Sequence, residues 1–275
     1  MFGMYKKLAN TYDGTLTGKS LKWGGSLART EATGYGCVYF AKNMLEARGE
    51  SLKGKKCTVS GSGNVSIYTI EKLYHLGALP ITCSDSSGMI LDEEGIDLEL
   101  LKDLKENQRA RLTEYVKYRK NAKYIPVDSY PKGRNAVWSV PCFAAFPSAT
   151  QNELNLEDAK ELIKNGCVCV SEGANMPSTN EAVDFFVAQK IAYGPGKAAN
   201  AGGVATSQLE MAQNASMVSW TFEEVDAKLE KIMKHIFDTA SATAKEFGEP
   251  TNLVLGANIA GFRRVADAMI EQGIV

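Results

Sequence analysis

Thr58-Val59-Ser60-Gly61-Ser62-Gly63-Asn64-Val65-Ser66 runs from a strand-like stretch into a glycine turn and on into a helical pattern from about Asn64 to Leu76. Two glycines separated by one residue let a chain turn sharply and approach a pyrophosphate closely. The helix that follows points its amide-rich N-terminus at that anion. Asp85 lies 24 residues beyond Gly61, at the end of the next apolar run, where a ribose hydroxyl is read in such folds. The stretch therefore predicts a dinucleotide-binding unit. One departure stands in it: the third glycine of G-x-G-x-x-G is Ser66, a change expected to loosen helix–strand packing slightly.

Outward from this turn, strand-like and helix-like segments alternate. A helical pattern covers about 30–47, then strand 56–60, helix 65–76 and strand 80–84. A charged helical stretch over about 97–120 precedes an extended piece at 124–127. Strand 136–140, helix 156–165, strand 167–171, helix 180–189 and strand 190–193 follow. Such alternation predicts an α/β fold, a Rossmann-like doubly wound and mostly parallel sheet covered on both faces. From Ala198 onward the chain reads as added C-terminal helices, about 198–218, 221–247 and 256–270. The second opens on a capping pattern, Thr221 before Glu224.

At 275 residues, 44% hydrophobic and 23% charged, the composition is that of an ordinary globular protein. A formal net charge of −1 gives no electrostatic attraction to nucleic acid or membrane. No apolar run approaches the roughly 20 residues that span a bilayer. The six cysteines include no C-x-x-C pair, and the two histidines, His75 and His235, lie far from any cysteine pair. Reduced, mostly buried thiols in a cytoplasmic protein are expected, with structural histidines and no metal site.

Other candidate ligand groups sit where strands are expected to end. Asn152 follows the apolar run 137–146, and Asn175 follows strand 167–171. In open α/β sheets ligands collect in that crevice, and an asparagine can both donate to and accept from a carboxamide and a ribose. Lys197 to Ser207, around Asn200, is dense in small residues that permit close approach by a ligand or by a helix. On a helix Ser207, Glu210, Met211 and Asn214 share one face. Asp85 favours a free 2′-hydroxyl and hence NAD, whereas Ser84, Ser86, Ser87, Arg109 and Arg111 suit a 2′-phosphate. The residues alone leave NAD and NADP both open.

Trp23–Leu27, Glu31–Gly36, the Gly61–Val65 turn, Ala149–Leu154, Glu172–Pro177, Lys197–Ser207 and Gly256–Phe262 together resemble glutamate dehydrogenase, in order along the whole chain. The likeness is strongest to the hexameric NADP-using type. It implies NADP-dependent interconversion of L-glutamate with 2-oxoglutarate and ammonia. It also implies a homo-hexamer for the full-length enzyme, with no nucleic-acid or membrane partner. The related leucine, phenylalanine and valine dehydrogenases, and a non-catalytic dinucleotide-binding module, remain the alternatives.

By this resemblance Thr33 and Asn64 bind the coenzyme, and the amides of Gly61, Ser62, Gly63, Asn64 and Val65 hold its pyrophosphate. Asp85 and Ser86 lie near the adenosine ribose, Asn152, Asn175 and Asn200 near the nicotinamide, and Ser207 touches a substrate carboxylate. Residues 1–25 are expected to be a remnant of a preceding domain with its linker, and 26–255 the dinucleotide-binding domain with its helical extension. Residues 256–275 are expected as a C-terminal helix returning toward a missing substrate domain. The catalytic acid and base are expected in that domain, so none is assigned here. The chain is expected to bind NADP(H) without turning over glutamate, and to expose apolar residues at Met1, Phe2, Met4, Tyr5 and along the last helix. Phe143 and Ser148 depart from the family pattern without removing an assigned ligand group.

Overall fold

The computed structural model describes residues 1–273. Its centre is a five-stranded, all-parallel sheet of β1 (Lys56–Val59), β2 (Leu79–Pro80), β6 (Ala144–Phe146), β7 (Cys169–Ser171) and β8 (Ala192–Gly194) in the order β2-β1-β6-β7-β8. Register is fixed by pairs such as Cys57 with Ala144 and Val170 with Tyr193. These strands are buried on both faces, hence their continuous apolar runs. Helices α2 (Ala32–Glu46) and α3 (Asn64–His75) belong to one apolar cluster with Phe40, Leu45, Ile70 and Phe146. Helices α6 (Leu156–Lys164) and α7 (Asn180–Ala188) join the other, around Trp138, Leu162 and Phe186. Two cores on opposite faces make the doubly wound reading correct.

The C-terminal third is helical as expected: α8 (Gly196–Ala199), α9 (Gly202–Ser216), α10 (Phe222–Glu246) and α11 (Leu253–Gln272). The Thr221–Glu224 capping box is present, with the Thr221 hydroxyl accepting from the Glu224 amide and the Glu224 carboxylate from the Thr221 amide. At the other end, α1 (Phe2–Ala9) buries none of its residues, and Met1, Met4 and Leu8 are exposed. Phe262, Val265 and Ile270 are likewise exposed on α11. All six cysteines are free and buried. No helix among the described residues is long and apolar enough to cross a membrane.

Three expected elements differ. The strand over 80–84 is two strands: the chain leaves the parallel sheet after Pro80 and re-forms as β3 (Thr82–Asp85). This pairs antiparallel with β4 (Gly88–Leu91), which pairs with β5 (Lys123–Pro126). The charged stretch is not one helix. It is α4 (Leu98–Lys102), a π turn over Asp103–Asn107, a 3₁₀ turn over Leu112–Glu114 and α5 (Tyr115–Tyr118). Arg109 breaks it with φ 52°, and the Ala110 amide reaches back to the Leu104 carbonyl. Over the expected strand 136–140 the chain forms a 3₁₀ turn, Ala136–Ser139, with Val140 extended after it. The Asn135 side chain accepts from the Val137 amide, and Pro141 then delays sheet entry until Ala144.

Candidate functional site

Successive crossovers run from β1 toward β2 on one side and from β6 toward β8 on the other. The order therefore reverses between β1 and β6, and a crevice opens at the C-terminal ends of those two strands. The glycine turn leaves β1 there, and Pro147–Thr150 leaves β6. Gly61 adopts φ 82°, and a Cβ on it would meet the Ser66 hydroxyl at 2.3 Å. Gly63 differs: its φ is −91° and a Cβ would meet nothing within 4 Å. The fold does not require that glycine, so its smallness serves whatever occupies the open side. No side chain caps the N-terminus of α3 behind it, which leaves its first amides facing the crevice.

Ser66 does not loosen the packing as the sequence suggested. Its hydroxyl donates to the Ser60 carbonyl (2.7 Å) and lies 3.2 Å from the Ser148 carbonyl, tying α3 to the ends of both β1 and β6.

Two cavities meet over this turn. One, of about 670 Å³, is lined by Gly61, Ser62, Gly63, Asn64, Val65, Asp85 and Ser86 with Tyr130, Ser148–Thr150 and Glu153. The other, of about 600 Å³, is lined by Arg29, Thr33, Val65, Ser148–Gln151, Gly173–Asn175, Asn200 and Gly203. They share Val65, Ser148, Ala149 and Thr150, so one continuous cleft runs across the strand ends. Each is of the size that small-molecule sites take.

Most of the predicted residues gather in this cleft. In the first cavity Asp85 is turned inward: Oδ1 accepts from the Ser87 amide and hydroxyl, and Oδ2 from the Leu112 amide, with Lys105 Nζ at 3.9 Å. Burial opposes ionisation, but these donors prevail and hold the carboxyl below its usual range. Ser86 is exposed beside it, and its hydroxyl accepts from Arg111 Nη1 at 2.7 Å. Asn64 donates from Nδ2 to the Thr30 carbonyl, joining α3 to the segment before α2. In the second cavity Asn200 donates to Asn175 Oδ1 at 2.7 Å.

Two predicted residues stand apart. Asn152, in the left-handed region at φ 54°, lines an adjoining cleft with Glu172 and Met176 instead, while Gln151 takes the place in the wall. Ser207 is buried beneath Arg29, whose Nε donates to its hydroxyl at 2.9 Å. On the same helix face Glu210 accepts from the Gly18 amide and Lys19 Nζ, and Asn214 donates to the Gly24 carbonyl, while Met211 is exposed.

Arg29 and Glu153 were not foreseen. Arg29 reaches the cavity through a left-handed turn at Ala28 (φ 57°), a long-range placement that no motif marks. Glu153 sits in the Ala149–Leu154 motif, but its role depends on contact with Ser60, 93 residues away.

The sequence pattern of the Glutamate/Leucine/Phenylalanine/Valine dehydrogenases matches residues 24–273. The chain is 66% identical, over its whole length and 61% of the relative's, to an NADP-specific glutamate dehydrogenase of Helicobacter pylori. It is 48% identical to that of Giardia intestinalis, with the same coverage. Among solved structures, the glutamate dehydrogenase of Plasmodium falciparum superposes with a TM-score of 0.94 at 48% identity, over all of this chain and 58% of that one. The chain thus spans about 61% of the length of these curated relatives.

Proposed function

The chain belongs to the glutamate/leucine/phenylalanine/valine dehydrogenase family, and we propose that it holds NADP(H) along the joined cleft. There it supplies the coenzyme side of the interconversion of L-glutamate with 2-oxoglutarate and ammonia. The observation that carries this reading is the meeting of two cavities over an uncapped α3 N-terminus at the sheet's switch point. The residues fit the coenzyme: Gly63 leaves room that no part of the chain fills, and the amides behind it suit a pyrophosphate.

Asn64 and Thr33 flank the middle of the cleft. The Asn175–Asn200 pair offers donors and acceptors to a carboxamide at its far end. When bound, the nicotinamide supplies or accepts the hydride. The chain's own groups bind and orient, and Arg29, with its Nε held by Ser207, presents positive charge to an anionic group in the second cavity. No acid or base of the reaction is assigned to this chain. A homo-hexamer of the full-length enzyme is part of the same proposal.

The Ser86–Arg111 pair favours NADP over NAD. With Asp85 committed to the loop, an exposed hydroxyl and a guanidinium are what remains to meet a 2′-phosphate. Titration of the chain with NADPH and NADH by nucleotide fluorescence tests this. NADPH is expected to bind at least tenfold more tightly, and Arg111→Ala is expected to remove roughly a tenfold share, the worth of one charge-assisted contact. Equal affinities for the two, or an unchanged preference in Arg111→Ala, would refute the assignment.

A further inference from the structure

Glu153 stands at a junction that the binding of a coenzyme does not by itself explain. Its Oε1 accepts three hydrogen bonds, from the Ser60 hydroxyl (2.9 Å), the Ala149 amide (2.9 Å) and the Thr150 amide (3.4 Å). Ser60 Oγ in turn accepts from the Ser148 amide at 2.8 Å. One carboxyl oxygen thus holds together the end of β1, where the glycine turn begins, and the segment shared by both cavities. Oε2 has no hydrogen-bond partner among the described residues, and Glu153 lines the cavity beside Gly61–Val65.

The charges around this carboxyl are unusual for a site that receives a diphosphate. The titratable side chains lining the same cavity are Asp85 and Tyr130, and no Lys, Arg or His lines it. Asp85 is satisfied by Ser87 and the Leu112 amide, with Lys105 Nζ at 3.9 Å from its Oδ2. At the end of β7, Glu172 is buried, accepting from Tyr193 and the Gly196 amide. On the side of the 135–138 turn, Asn135 and Trp138 donate to the Glu153 carbonyl. Behind them, Asp158 accepts from the Asn135 amide, and Arg134 is paired with Glu161. No cation touches the Glu153 carboxyl among these groups. An ionised Glu153 would place a second negative charge beside the phosphates, in a partly desolvated cavity where repulsion is weakly screened.

We propose that Glu153 is a proton-linked positioning residue: its Oε1 orders the glycine turn and the 148–150 segment, and its Oε2 takes up a proton when a diphosphate enters the cavity. The neutral acid keeps all three Oε1 contacts and turns its hydroxyl toward a phosphate oxygen. The proton comes from solvent and no other bond changes. Burial, with the Glu172 charge behind it, pushes the carboxyl up to about 7, so the uptake falls in the neutral range. The inference rests on the coenzyme reading and deepens it.

The test is isothermal titration of the full 275-residue chain with NADPH from pH 6 to 8.5, in buffers of different ionisation heat, for the native chain and Glu153→Gln. The amide keeps the Oε1 contacts and cannot titrate. A 2′-phosphate titrating near pH 6 contributes equally to both proteins and cancels in the difference. The native chain is expected to take up most of one proton more than Glu153→Gln at pH 7.5. Its affinity is expected to fall by roughly tenfold more between pH 6 and 8.5. Ser60→Ala, which cuts one tether and leaves the acid, is expected to weaken binding and retain the extra proton. Identical proton counts and parallel pH profiles in native and Glu153→Gln would overturn the inference while leaving the coenzyme reading intact. Absence of NADPH binding at every pH would overturn both.

Discussion

Gly202→Ala probes the closest helix crossing under the cleft. A Cβ at Gly202 would lie 2.2 Å from the Ala32 carbonyl oxygen and 2.9 Å from Gly36 Cα, both backbone atoms of α2. The first distance is roughly 1 Å short of ordinary contact, so α2 and α9 must part. Overpacking of this kind costs about 1–3 kcal/mol. Gly to Ala in a helix returns up to about 1 kcal/mol, less in the first turn where Gly202 sits. A net loss of about 1–2 kcal/mol lowers the melting temperature of a chain this long by roughly 2–4 °C. The same separation moves Thr33 on α2 from Gly203 on α9, two walls of the second cavity, and NADPH affinity is expected to fall several-fold. Gly63→Ala is the counterpart: its Cβ meets nothing in the chain and its φ is permissive, so stability should fall by no more than the roughly 1 kcal/mol of a poorer N-cap while NADPH binding drops by more than tenfold. Scanning calorimetry and fluorescence titration of both variants decide the matter. A Gly202→Ala protein as stable as the native one would refute the packing reasoning. A Gly63→Ala protein that binds normally would refute the placement of the pyrophosphate.

Glu210→Ala leaves Lys19, whose side chain is 4% exposed, without its partner and strips the acceptor from the Gly18 amide. A cost of about 3–5 kcal/mol is expected, limited by detachment of residues 14–25, which accelerated hydrogen exchange in that segment would register. Thr221→Ala removes one arm of the α10 capping box and should cost about 1 kcal/mol in denaturant titration. The Glu153 carboxyl is raised in the folded chain from 4.5 to about 7, so folding favours its protonated form. Stability contributed by that proton is present below pH 4.5, is lost as pH rises to 7, and stays lost above. Glu153→Gln should therefore gain up to about 3 kcal/mol over the native chain at pH 8 and little at pH 4, measured by urea unfolding.

What the sequence made legible follows from what is local. The glycine turn, the alternation of β1, α3 and the later strands, and the α10 cap are set by residues within a turn or two of one another. The errors arose where apolar residues are buried without being strand. Val137 and Trp138 look like sheet because they fill the second core from a 3₁₀ turn. The charged stretch has helical periodicity but is closed off at Arg109 by a left-handed backbone that its side chain does not announce. In the cleft, spacing brought Asp85 to the cavity wall but could not show that its Oδ2 is taken up by the Leu112 amide, 27 residues away. Arg29 was invisible for the same reason: its partner Ser207 is 178 residues distant.

The inward turn of Asp85 bears on how coenzyme choice can be redesigned. Asp85, the last residue of β3, is a structural pin for the β3–β4 hairpin and the 3₁₀ turn beyond it. Changing it to alter selectivity would unpick the scaffold along with the preference. Ser86 and Arg111 are both exposed, and their side chains hydrogen-bond to each other. On the proposed reading, selectivity and foldability fall to separable residues, and a library confined to positions 86 and 111 is expected to change coenzyme preference while leaving the Asp85 contacts in place.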